Sequence, residues 1–308
     1  MLLKNLKVTT IKSGFVAIIG RPNVGKSSLL NALIGEKIAI TSPKPETTRN
    51  RILGALTRPE YQIIFVDTPG MGKSYNLLSQ KVTQVAKSSI EDNDIVYLVV
   101  DRKYQESSKF IIDYLKKMNS DVFLVINKID LLKRKSQIDE IILSYMNLLD
   151  FKAFIPVSTK SYENLNKLVE LTLELLPEDG LLFDEEFLSN QSEKIRMMEL
   201  IREKILLHTE QEIPHSVAVV IENMFFNEKS GQYDVFADIY VEKNSQKQIL
   251  IGKDGSKMKA IGTAARLDIN KTLNTKVHLE LWVKVKKDWR NDPKVLFSLG
   301  IGEDLWLV

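Results

Sequence analysis

Gly20, Gly25, Lys26 and Ser27 fit the spacing G-x-x-x-x-G-K-S, here Gly20-Arg21-Pro22-Asn23-Val24-Gly25-Lys26-Ser27 with Ser28 following. Glycines in such a loop free the backbone angles that turn successive N–H groups toward one anion, and a helix opening at its end adds positive potential. The lysine can reach β- and γ-phosphates, and the serine hydroxyl suits a magnesium ion. The loop follows an apolar run, FVAIIG at 15–20, and opens a helical stretch at about 26–35, which is the context this pattern requires. The chemistry expected is binding of a nucleoside triphosphate with Mg²⁺ and transfer of its terminal phosphoryl group to water.

Three further sets of residues sit where strands should end. Asp67-Thr68-Pro69-Gly70 closes the run YQIIFVD, so Asp67 can hold Mg²⁺ through water and the Gly70 N–H can sense a γ-phosphate. Asn127-Lys128-Ile129-Asp130 follows DVFLVIN. A carboxylate at Asp130 accepts two hydrogen bonds from the ring N–H and exocyclic amine of guanine, a donor pair that adenine lacks, so GTP and GDP are the expected ligands. Asn127 should tie this loop to the phosphate loop, and the Lys128 stem should lie over the purine. Ser158-Thr159-Lys160 leaves the next strand and should offer the Thr159 N–H to the guanine carbonyl.

Residues 35–51, GEKIAITSPKPETTRNR, form a long polar stretch suited to a loop that changes state. Thr48 is the expected second magnesium ligand, with Thr47 the alternative, and residues 70–77 are the expected second switch. Small GTPases orient the attacking water with a glutamine after Gly70; here Met71 stands there, so slow intrinsic turnover is expected. Asn23 and the backbone of the first switch are expected to help bind K⁺, a substitute for the charge of an arginine finger.

The elements positioning these residues alternate. Consecutive apolar runs at 15–20, 61–67, 95–101, 121–127 and 152–158 read as strands buried on both faces, and helical stretches at about 26–35, 77–91, 106–118, 136–148 and 163–176 read as crossovers. Residues 49–56 should pair with 61–67 as a hairpin. The result is an α/β domain with a mostly parallel sheet over 1–176. Pro177, Gly180 and a cluster of acids suggest a linker at 177–190. A smaller α+β domain should follow over 191–308, ordered helix, strand, strand, helix, helix, strand.

With 308 residues, 44% hydrophobic and 27% charged, the chain can fill two cores. Cysteine is absent, which excludes disulfides, thiolate nucleophiles and Cys-ligated zinc, and three scattered histidines make a His-based metal site improbable on spacing. No apolar run approaches the length of a membrane span, and the first residues lack a signal-peptide pattern, so a cytoplasmic protein is expected.

The net charge is only +3, but residues 247–290 carry eleven lysines and arginines against four acids, which suggests a polyanionic partner. Within that region Ile251-Gly252-Lys253-Asp254-Gly255-Ser256-Lys257 places a GXXG loop between two helices. Such a loop clamps a single-stranded nucleic-acid backbone.

The segments GRPNVGKSSLLNALIGEKIAITSPKPETTRNRI, DTPG, NKID, VSTK, IGKDGSKMKAIG and VKKDWRND resemble the bacterial Era family of GTPases across essentially the whole chain. The resemblance implies a Ras-like P-loop G domain and a C-terminal type II KH domain. It also implies binding of the 3′ end of 16S rRNA during assembly of the small (30S) ribosomal subunit, with partial peripheral contact at the inner membrane and a monomeric state. Carried over by position, Gly20 to Ser27, Thr48, Asp67 to Gly70, Asn127, Lys128, Asp130 and Ser158 to Lys160 bind nucleotide, and Gly252 to Gly255 contact RNA. Thr159 stands where the family more often has alanine. A GTPase acting on another RNA and a membrane-associated signalling GTPase are the other readings these motifs permit.

Overall fold

The computed structural model describes residues 10–45, 47–70, 76–89 and 93–301. Met71 and residues 72–75 of the expected second switch lie outside the described residues. The chain divides into two compact units: residues through Glu36, 51–68 and 87–190 form the first, and 37–50, 69–86 and 191 onward form the second.

The first unit is built on a six-stranded sheet: β1 (Lys12–Gly20), β2 (Ile52–Arg58), β3 (Tyr61–Asp67), β4 (Ile95–Val100), β5 (Asp121–Ile126) and β6 (Phe151–Pro156), in the order β2-β3-β1-β4-β5-β6. All neighbours are parallel except β2 and β3, which pair antiparallel from Ile52 opposite Asp67 to Arg58 opposite Tyr61. Every residue of β4 is buried, as its unbroken apolar run requires of a strand covered on both faces. The helices of this unit are α1 (Lys26–Ile34), α3 (Lys109–Leu115), α4 (Ser136–Tyr145) and α5 (Leu165–Leu175), and α2 (Leu77–Ser88) comes between β3 and β4 in the chain. Because β1 lies between β3 and β4, the order reverses at its end and opens a crevice where Gly20, Asp67, Asp101 and Asn127 emerge.

Residues 177–190 pack back on this unit. Gln62 receives the N–H groups of Leu182 and Phe183 and donates to the Phe183 carbonyl, Ala55 N donates to Leu188 O at 2.9 Å, and Phe183 and Phe187 stack 4.3 Å apart over Leu53, Ala55 and Ile64.

The second unit has a three-stranded sheet of β7 (Ala218–Asn227), β8 (Gln232–Val241) and β9 (Val277–Val285), in that order, with β7 antiparallel and β9 parallel to β8. Helices α6 (Glu193–His208), α8 (Asn244–Ile251) and α9 (Ser256–Thr272) cover one face through Ile201, Ile205, Val235, Ile239, Ile261 and Ile269. Ser192 caps α6 by accepting from Ile195 N. Two short helices, α7 (Ile213–Ser216) and α10 (Pro293–Ser298), lack the length to announce themselves by periodicity. Part of the other sheet face is closed by Trp289, Val295 and Leu296 against Ala218 and Val220, joined by Leu78 of α2 (Leu77–Ser88).

Residues 37–50 are woven into this unit. Ile40 enters its core, Lys37 pairs with Glu203 at 2.6 Å and Asp268 at 2.7 Å, Thr41 N donates to Glu203, and Asn50 donates to Leu299 O at 3.0 Å. Arg202, itself buried, donates to the Thr47 carbonyl, while the Thr47 hydroxyl donates to Lys44 O.

Candidate nucleotide site and nucleic-acid interface

In the first unit the loop from Gly20 to Gly25 carries three residues with positive φ: Gly20 at 151°, Asn23 at 64° and Gly25 at 97°. Both glycines are also sterically required. A Cβ on Gly20 would lie 2.4 Å from the Val99 carbonyl oxygen, and one on Gly25 would lie 2.4 Å from Asn127 Nδ2. Gly25 is the cap from which α1 starts, so the free N–H groups of the first turn open toward the crevice.

Lys26 is buried at the start of that helix, with Nζ bonded to the carbonyls of Gly20 at 3.2 Å and Arg21 at 3.3 Å. Burial lowers the pKa of its ammonium, and the charge of Asp67 partly restores it. A phosphate beside this amine would favour its charged form further, so the site is poised for an anion. Ser27 Oγ donates to Asp67 Oδ2 at 2.6 Å, bringing a hydroxyl and a fully buried carboxylate together at the crevice. These are hard oxygen donors of the kind Mg²⁺ takes, so the pair fits that ion. Thr68 donates to Ile18 O at 3.0 Å and fixes the end of β3 to β1. Pro69, Gly70 and buried Thr48 belong to the second unit.

The Asn127 carboxamide joins three loops. Its Nδ2 donates to Val24 O at 3.0 Å, and its Oδ1 accepts from the N–H groups of Lys128 at 2.8 Å and Thr159 at 3.3 Å. Lys128 adopts a positive φ of 63° and reaches back to the Asn23 carbonyl. Asp130 is exposed at the crevice, with one carboxylate oxygen accepting from Ser158 Oγ at 2.7 Å. Ser158 also receives the Ser161 N–H, so the loop containing Thr159 and Lys160 is held beside the carboxylate. An oriented carboxylate beside a backbone loop is what reading one purine edge requires.

Sequence reasoning missed Asp101. It leaves β4 at the same sheet edge and pairs with Lys128 at 2.9 Å and with Arg102 at 2.9 Å. Burial pushes its carboxyl up, but bonds from Arg102 and Lys128 outweigh this and hold it below the usual range. Its place directly after an apolar run was the available signal.

In the second unit Gly252 has φ 73°, and a Cβ there would lie 2.8 Å from Lys257 Cβ. Lys253, Asp254 and Ser256 are exposed, Ile251, Gly255 and Lys257 are half-buried, and Asp254 takes φ 51°. The loop borders a groove of about 700 Å³ whose walls include Leu279, Leu281, Val283, Lys247, Lys259 and Arg266. An apolar floor with a basic rim suits stacked bases below a phosphate backbone.

Two family models match the chain: that described as 50S ribosome-binding GTPase over residues 15–128, and that of the KH domain over residues 212–290. The GTPase Era of Ruminiclostridium cellulolyticum is 45% identical over 291 residues, 94% of this chain and 97% of that protein. That of Heliobacterium modesticaldum is 46% identical over 297 residues, 96% and 99% of the two chains. A crystal structure of an Aquifex aeolicus Era variant bound to GDP and AlF4⁻ superposes with a TM-score of 0.89 at 36% identity, covering 95% of this chain and 100% of that one. A structure of Era with MgGDPNP and nucleotides 1506–1542 of 16S ribosomal RNA matches equally well, with the same score, identity and coverage. Among the described residues no helix is long and apolar enough to cross a membrane. With the phosphate loop, the Asn127–Asp130 loop and the GXXG groove all in place, the chain belongs to the Era family: it is a GTPase with a P-loop G domain and a C-terminal KH domain.

Proposed function

We propose that this GTPase binds the 3′ region of 16S rRNA in the groove beside Gly252–Gly255 and acts in assembly and maturation of the small ribosomal subunit in the cytoplasm. The observation carrying the reading is the GXXG loop with exposed Lys253 beside a basic, apolar-floored groove, matched to a relative whose structure holds nucleotides 1506–1542. Residues 37–50, which carry Thr48, are part of the fold bearing that groove through Ile40, Glu203 and Arg202. A nucleotide-dependent change in this segment therefore acts on the RNA-binding unit itself.

In hydrolysis, the N–H groups of the Gly20–Gly25 loop and Lys26 hold the phosphates and receive charge spreading over the transferred group. Ser27 and Asp67 are the residues of the first unit that would hold Mg²⁺, which when bound neutralises charge on the β- and γ-phosphates. Asp130 selects guanine, and Asn127 keeps its loop registered on the phosphate loop. Asn23 contributes to a K⁺ site; hydrolysis at equal rates in K⁺ and Na⁺ contradicts that assignment.

The test of the RNA assignment is retention of an oligonucleotide with the 3′-terminal 16S sequence. The double variant Lys253→Glu, Asp254→Glu should weaken it about tenfold or more while GDP affinity stays unchanged. Unaltered RNA binding removes the groove from the account.

A further inference from the structure

Among the described residues, α6, α8 and α9 cover one face of the sheet of the second unit and leave the other. Trp289, Val295 and Leu296 close only the part over Ala218 and Val220. On the remainder, three aromatic rings run across all three strands. Phe225 of β7 stacks on Phe236 of β8 with centroids 5.9 Å apart and planes 26° apart, and Phe236 stacks on Trp282 of β9 at 5.9 Å and 13°. Phe225 is 52% exposed and Trp282 is 45% exposed. Large rings held in mutual register and left in water form a rigid binding platform rather than a core.

The charge around this platform is opposite to that of the groove. Asp234, Asp238 and Glu280 share the outward parity of the three rings, and Glu222, at the irregularity in β7, bonds to Tyr240 of the same parity, against Lys284, which pairs with Asp238, and Lys276 just before β9. Lys286 is taken by Asp292 at 3.0 Å and lies over the Tyr240 ring. Asn227 donates to Asp234 at 2.8 Å, Tyr240 donates to Glu222 at 3.0 Å, and His278 lies 3.1 Å from Glu280, so these carboxylates are oriented without a full neutralising cation. The groove, by contrast, is edged by Lys247, Lys259 and Arg266, and the two surfaces meet at Trp282, which lines the groove as well.

We infer that the Phe225–Phe236–Trp282 face is a docking surface for an arginine-rich segment of a basic protein. Guanidinium groups stack flat on aromatic rings and donate bidentate hydrogen bonds to carboxylates, and this face offers both partners within one short span. A nucleic-acid strand would also find rings to stack on, but its phosphates would meet the excess of carboxylates. One unit thus presents a basic groove for a polyanion and an acidic aromatic sheet for a polycation.

The test uses the full chain loaded with GDP and a decapeptide of alternating arginine and glycine, followed by NMR. Saturable shifts should centre on the Trp282 indole and on Phe225 and Phe236. Phe225→Ser and Glu280→Lys should each weaken binding about fivefold, and an alternating lysine–glycine peptide should bind about fivefold more weakly than the arginine peptide. Unchanged melting temperature and unchanged retention of the 16S oligonucleotide show that each variant is folded. The inference is overturned if either variant binds the arginine peptide as the wild type does, if the lysine peptide binds equally well, or if a uridine oligomer shifts Phe225 and Phe236, which lie outside the groove, more than the peptide does.

Discussion

Asn127 Nδ2 occupies the place that a Cβ on Gly25 would need, at 2.4 Å. The same carboxamide donates to Val24 O, so the Asn127–Asp130 loop and the Gly20–Gly25 loop interlock at a position where a side chain does not fit. Gly25→Ala should therefore displace Asn127 and strain a backbone at φ 97°, lowering affinity for a fluorescent GDP analogue about tenfold or more. Gly35 is the control: it has φ 86° with nothing within 4 Å of its Cβ position, so Gly35→Ala should cost about 1 kcal/mol of stability and leave affinity intact.

The Asp101–Lys128 pair makes an acid-side prediction. The folded-state carboxyl titrates below its ordinary 3.8, so its stabilisation is present above that value and is lost as pH falls through the lower folded-state value. Asp101→Asn should be less stable than wild type near neutrality, and the two melting curves should converge in strong acid. Because Asp101 holds the Lys128 ammonium, the variant should also release GDP faster, by about fivefold, in stopped-flow chase experiments.

Arg49 is buried in the second unit, where it donates to Val217 O at 2.9 Å and lies 5.7 Å from the centroid of the Trp289 ring. Arg49→Ala removes a donor from a buried carbonyl and a cation from a ring face. A loss of about 1–3 kcal/mol is expected in urea unfolding followed by tryptophan fluorescence. Arg49→Lys should recover only part of it, since the planar group makes the stacking contact.

The nucleotide motifs were legible because they combine residue types that only a ligand explains with a strand-to-helix context that periodicity reveals. FVAIIG before Gly20 and DVFLVIN before Asn127 are such runs, and both proved to be strands ending at one crevice. The alternation of α6, β7, β8, α8, α9 and β9 was legible for the same reason. Residues 35–51 were read as a polar loop, yet Ile40 and Arg49 are buried in the second unit. Arg49 meets Val217 and Trp289, and Thr41 beside Ile40 meets Glu203, all more than 150 residues away, and no local pattern reports such pairing. Asp101 escaped because a single carboxylate after a strand has no spacing to mark it. The aromatic ladder escaped because Phe225, Phe236 and Trp282 meet only once the register of three strands is set.

The central claim is that a loop of backbone amides holds a guanine nucleotide whose base is chosen by Asp130. Its most direct test is titration of the purified chain and of Asp130→Asn with fluorescent guanosine and xanthosine diphosphates in the presence of Mg²⁺. The wild type should bind the guanosine form and the variant should switch to the xanthosine form, because the exchanged carboxamide now matches the altered base edge. A wild type with no affinity for the guanosine nucleotide, or a variant that keeps it, contradicts the account.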